Sequence, residues 1–401
     1  MFSQKMKNKN FIFYPILLLI TVQFFACKNR PEQNIQTDTI EIDTIVSKVE
    51  IPIDTFRNNI GNLLAGIDNQ EFRSSFDSVG LQFWQQYKSD TDTIFSKLTK
   101  ERFSRIENWQ QTEIAPKIDN NLPLFYPFSG PDFINAYYLF PNSNDYTMIG
   151  LEKLGILPNF NEIDSKTICN YLKYINYCNR DIYNWSFYRT RSMQADFNNE
   201  NDGVLPILYL FIKRLGFQIS EFGYFKINEN DGTFEKIDKP SNSQQTTECV
   251  RFKIFRDGDT ICKTLTYFSA DISNGGFVKN QALLTYLNTL TNYNTFLKSA
   301  SYLLAYDYFS VTRDLIINKS NAILQDDSGI PFKKLKNDWK YHLYGTYKRP
   351  VGVFKDQHLY QNDLVEMYKS DSVKTLDFSM GYHFKNNEQS WILYLKKNPL
   401  K

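Results

Sequence analysis

Histidine is nearly missing from this chain: His342, His358 and His383 are the only three in 401 residues, and they show no metal-ligand spacing. That excludes a histidine-built zinc site and an ordinary Ser-His-Asp triad. The G-x-S-x-G elbow, the GxxxxGK[ST] loop, H-E-x-x-H and C-x-x-C are absent too, so no complete catalytic signature stands out. Charge of one sign is lacking: 46 Lys+Arg face 44 Asp+Glu. This balance carries no electrostatic footprint for nucleic acid, and none is expected as a partner. There is no repeat of fixed period and no low-complexity tract. Aromatic residues are plentiful, 33 Phe and 26 Tyr within a 42% hydrophobic composition. A large packed core is expected, not disorder.

The one long apolar run is at the N-terminus. Lys5, Lys7 and Lys9 precede "FIFYPILLLITVQFF", which suits a signal-peptide core better than the ~20 residues of a membrane-crossing helix. The run stops at Ala26-Cys27, and polar "KNRPEQNIQTDT" follows. A small residue before a cysteine at that place resembles the bacterial lipoprotein signal, although Phe24 and Phe25 stand where Leu and a small residue are usual. The resemblance implies a signal peptide over residues 1–26 and lipidation of Cys27, whose acyl (palmitate-type) chains tether the protein to a membrane. Lys28 gives no acidic inner-membrane retention signal, so the outer membrane is favoured. Without the three signal lysines, 43 basic residues face 44 acidic ones, a net of −1.

Four other cysteines remain. Cys169 and Cys178 are separated by nine helical residues, or ~13 Å, too far for a disulfide. Cys249 and Cys262 flank the Asp257-Gly258 turn. A two-residue turn there sets Cys249 opposite Thr266 and Cys262 opposite Lys253, out of register with each other. Bridges between helix and hairpin remain open, but reduced thiols are the simpler reading.

Residues 27–50 read as a polar tether. Residues 51–118 have helical periodicity: Phe72, Phe76, Val79 and Phe83 recur on one helix face, and Asp92 is placed to cap a following helix. A small helical region is therefore expected ahead of the body, residues 119–401. There "LFYPF", "PDFINAYYLFP" and "YTMIGL" read as strand, helix, strand, a parallel βαβ unit. Further strands are expected in "FGYFKI", "CVRFKIF", "TICKTLTYF", "NAILQ" and "SWILYLK". Helices are expected at "VLPILYLFIKRLG", 281–290 and 296–306, with a helical insertion near 161–201. The class is α/β, a mixed sheet with flanking helices.

Candidate chemistry follows from acids just past strands. Asp132, Glu152, Asp271, Asp326 and Asp327 all occupy such places, and open α/β sheets bind ligands beyond the carboxyl ends of their strands. If the strands are parallel, the five gather on one edge, able to hold a divalent metal or do acid–base work. No ligand set for a metal is assigned. The turn "FYPFSGPDF" offers Ser129 and Gly130 to a ligand, with Pro131 in the first helical turn. Its alternative is a plain chain reversal with Asp132 complementing the helix dipole. Ser328 and Gly329 form a similar turn, Arg191 is a candidate cation for an anionic ligand, and Gly275-Gly276 suits a flexible loop.

The pieces "YPFSGPDF", "GLEKLG" and "ILQDDSGIPF", with the lipidation signal, resemble a family of cell-envelope lipoproteins of Bacteroidota-type bacteria, from about Leu122 onward. The resemblance implies location and no reaction. Two functions follow as expectations. One is a tethered protein binding a small polar or sugar-like ligand in an aromatic-lined cleft. The other is a lipid-anchored hydrolase or transferase using the five acids, whose side chains should then converge.

Overall fold

The computed structural model describes residues 50–68, 70–188, 203–241, 247–354, 356–370, 372–383 and 389–399. Cys27 and Arg191 lie outside the described residues. In chain order come α1 (Thr55–Leu64), α2 (Ser78–Leu98), α3 (Ser104–Trp109), β1 (Leu124–Tyr126), α4 (Phe133–Leu139), β2 (Asp145–Gly150), α5 (Ser165–Cys178), α6 (Arg180–Trp185) and α7 (Leu205–Arg214). Next are β3 (Gln218–Ile227), β4 (Phe234–Ile237), β5 (Glu248–Phe255), β6 (Lys263–Ser269), α8 (Asn274–Lys279), α9 (Gln281–Thr289) and β7 (Tyr293–Leu297). The chain ends with α10 (Ser310–Lys319), β8 (Ser320–Asp326), α11 (Phe332–Leu335), β9 (Trp339–Gly345), α12 (Asn362–Met367) and β10 (Ser390–Lys396).

The ten strands form one mixed sheet in the order β4-β3-β5-β6-β2-β1-β7-β8-β10-β9. Its middle five strands, β6, β2, β1, β7 and β8, run parallel. From β1 the chain steps outward to β2 and then β6, and returns to the opposite flank of β1 as β7. Strand order therefore reverses between β1 and β7. Loops leaving the C-terminal edge there diverge and open a crevice.

Side chains alternate across the sheet and sort into two cores. Leu124 and Tyr126 of β1, with Tyr146 and Met148 of β2, pack with helices α1 to α7. Phe125 and Ile149 face the other way, against α8 to α12. The class is thus α/β, with helices on both faces. Helix α7 shows how sequence sets burial: every residue from Leu205 to Lys213 is buried, as its nearly continuous apolar run requires. It ends where Gly216 takes a left-handed φ of 80°, and the Gly216 and Phe217 amides bond back to the Lys213 and Ile212 carbonyls. Among the described residues no helix is long and apolar enough to cross a membrane.

Some local features differ from expectation. Phe72 sits in a short 3-10 turn and Asp77 caps α2 by accepting the Gly80 amide at 2.7 Å, so the Phe72–Phe83 stripe is broken. Val79 is 74% exposed, and the buried face is Trp84, Tyr87, Thr91, Phe95 and Leu98. Asp92 lies inside this helix and pairs with Arg214 at 2.6 Å instead of capping another. Residues 293–297 form β7, where a helix is expected from 296, because the segment is hydrogen-bonded between β1 and β8. Asp259 closes the expected turn onto Arg256, but β5 and β6 pair two residues out of the expected register, Cys249 opposite Phe268. The four described cysteines are free thiols.

Candidate functional site

A cleft of about 790 Å³ opens at the C-terminal edge of the parallel strands, where their order reverses. The loops after β1, β2, β6 and β7 line it, with the segment 351–354. Three of the candidate acids, Asp132, Glu152 and Asp271, are in its lining.

The loop after β1 is built by turn chemistry. Phe128 and Gly130 take left-handed φ values of 59° and 51°, and the Ser129 amide and hydroxyl both bond the Ile149 carbonyl, at 2.8 and 3.1 Å. Asp132 caps α4: its Oδ1 accepts from the Asn135 amide at 3.4 Å and Nδ2 at 2.8 Å. The cap carries negative charge, which disfavours an anion at the start of α4, while Ser129 and Gly130 themselves line the cleft. The other oxygen, Oδ2, meets Lys298 Nζ at 2.5 Å and the Tyr126 hydroxyl at 2.9 Å. Both ions are buried. Lys298 also donates to the Ser186 carbonyl. Burial lowers the pKa of its ammonium, and Asp132 opposes that shift.

Glu152 is different. It is buried, accepts the Tyr267 hydroxyl at 3.2 Å, and burial raises its carboxyl pKa, with no basic side chain among the described residues to counter it. Gly150 makes room for this group. A Cβ there would lie 2.4 Å from the Tyr267 hydroxyl, 2.6 Å from Glu152 Oε2 and 3.1 Å from the Gly130 Cα. Asp271 stands exposed at the rim and accepts the Ser273 amide at 2.8 Å.

The loop after β7 has no glycine, yet Ser299, Ser301 and Tyr302 all hold left-handed φ values, 53°, 54° and 58°. Such a backbone is unfavourable for each and must be held by its surroundings. The holding groups come from the end of β8. Asp326 accepts the Ser299 amide at 2.7 Å, Ser328 Oγ accepts the Ala300 amide at 2.7 Å, and the Ser328 carbonyl accepts the Tyr302 amide at 3.0 Å. Asp327 accepts the hydroxyls of Tyr302 at 2.5 Å and Ser390 at 2.9 Å. Burial drives both carboxyl pKa values up, and for Asp326 the neighbouring Asp327 adds to it. Asp326 and Asp327 thus share the sheet edge with the cleft acids but are turned into the protein behind the loop. Ser328 is fully buried with its hydroxyl on Asp326, and Gly329 borders a separate small cavity of about 40 Å³.

Sequence reasoning missed Lys298 and Ser299, both in the cleft lining. Their only local signal is a lysine and a serine directly after Phe296-Leu297, a run too short and too interrupted by Asn294 and Thr295 to read as a strand. Among the described residues no group of three or more His, Cys, Asp or Glu side chains is arranged to hold a metal ion. Asp132 is already paired with Lys298.

No protein-family model and no curated protein matches the chain.

Proposed function

We propose that the α/β body binds a small ligand with a polar end in the switch-point cleft, and that acyl chains on Cys27 hold it at the outer membrane. The observation that carries the reading is the cleft itself: its volume falls within the ~300–1,000 Å³ usual for ligand sites, at the edge where α/β sheets bind. Aromatic and aliphatic side chains line most of it, with Glu152, Asp271 and Ser299 as polar points. Ser299 Oγ is shielded from solvent and has no hydrogen-bond partner among the described residues. A thermal-shift screen of sugars, amines, carboxylates and nucleotides tests the reading. A hit should vanish in Ala270→Trp, which fills the cleft from the end of β6; a hit that survives would count against it. Cys27→Ala should move the protein from the membrane to the soluble fraction.

A second reading, acid–base chemistry on the bound ligand, is favoured by one observation, the desolvated carboxyl of Glu152. Turnover of a confirmed ligand by the wild type and not by Glu152→Gln would support it.

A further inference from the structure

The charged groups in the cleft lining are Asp132, Glu152, Asp271 and Lys298 among the described residues. Lys298 is spent, its ammonium 2.5 Å from Asp132 and bonded to the Ser186 carbonyl, so that pair is neutral as a unit. Glu152 and Asp271 are left, and neither has a basic partner among the described residues. The start of α4 is closed by the Asp132 carboxylate. Two aromatic pairs also line it: Phe128 with Phe309, centroids 5.6 Å apart, and Phe354 with Tyr382, 5.8 Å apart. Leu151 and Val353, 54% and 80% exposed, extend the apolar lining to the mouth. An anion entering here meets two carboxylates with no basic side chain of the lining left to receive it; a cation finds two carboxylates and an aromatic-rich lining.

We propose that the cleft takes an organic amine: an apolar or aromatic body between the two ring pairs, with an ammonium head directed to Glu152 and Asp271. The proposal rests on the cleft reading above and adds the sign of the ligand's charge. It separates this site from doubly wound folds that hold phosphates at the same edge, where the first loop is glycine-rich and the helix N-terminus is free. Here one acid caps that helix and others face the space. An ammonium beside Glu152 also reverses the effect of burial on its carboxyl. Tyr267 faces it from β6 with a hydroxyl that burial keeps protonated, and Asp271 and the Asp132–Lys298 pair share the cleft. Amine binding therefore releases a proton, and affinity rises with pH until Glu152 is ionised.

The test is calorimetric titration of the full chain in detergent with three probes of one shape: phenethylamine, phenethyl alcohol and hydrocinnamate. Phenethylamine should bind best, ahead of hydrocinnamate by about tenfold or more, and Glu152→Gln should remove most of that preference. The Gln side chain keeps the volume and the Tyr267 contact; Asp271→Asn at the exposed rim gives an independent check. If hydrocinnamate or phenethyl alcohol binds as well and Ala270→Trp abolishes that binding, the amine assignment falls while the cleft stands. If no probe binds, or binding survives both Ala270→Trp and the mouth-blocking Val353→Trp, the cleft reading falls with it.

Discussion

Two loops that line the cleft reach similar backbone shapes by different means. The loop after β1 turns left-handed at Gly130 and at Phe128, with Ser129 tied to the Ile149 carbonyl of β2 and Asp132 capping α4. The loop after β7 turns left-handed at Ser299, Ser301 and Tyr302 without glycine, fastened from behind by Asp326, Ser328 and Asp327. The first uses a glycine and a cap on its own helix, with one tie to β2. The second is imposed by a neighbouring strand end, so acids that resemble ligand-binding groups act mainly as anchors. The ion pair Asp132–Lys298 joins the two loops.

The largest effect should come from breaking that joint. Lys298→Met leaves the Asp132 charge buried and unpaired and should cost about 3–5 kcal/mol in denaturant unfolding. Adding Asp132→Asn to it should recover part of the loss, a non-additivity expected only if the two residues form one unit. Next comes Asp326→Ala, which strips acceptors from the Ser299 and Ser328 amides and should cost about 1–3 kcal/mol, with faster hydrogen exchange at Ser299. The glycine comparison is smaller. Gly130→Ala should destabilise by about 1–2 kcal/mol, whereas Ser301→Gly should be neutral or stabilising by up to ~1 kcal/mol, because only the second relieves a left-handed non-glycine. Equal losses from both would erase the contrast between the loops.

The smallest effect is on pH dependence. Burial raises the carboxyl pKa values of Asp326, Asp327 and Glu152, so the folded protein holds more protons than the unfolded chain just above the ordinary carboxylate range. Their joint contribution makes stability fall as pH rises through that window toward neutral and level off once all three are ionised. Asp326→Asn should flatten this slope in unfolding measured at several pH values.

The difference between the loops also marks what was legible. Strand, helix and strand around "FYPFSGPDF" follow from apolar spacing and turn residues, which put Asp132 and Glu152 at the correct strand ends. β7 was hidden. Asn294 and Thr295 are buried polar residues, bonded through Nδ2 to the Asp119 carbonyl and through the hydroxyl to Ser320, which spoils strand alternation, while Phe296, Ala300 and Leu304 fall at helical spacing. Missing β7 meant missing Lys298. Asp326 and Asp327 were recognised as strand-end acids, but their burial depends on a loop distant in sequence, which no local pattern carries. The Phe72–Val79 stripe misled for the reverse reason: a good helical period crosses a break set by Asp77.

The central claim, a ligand site where strand order reverses, is tested most directly by amide chemical-shift mapping during titration of the full chain with phenethylamine. The amides of Gly130, Gly150, Ser299 and Ala300 should move together and saturate with one affinity. Shifts confined to the small cavity beside His358 and Gln361, or scattered without saturation, would contradict it.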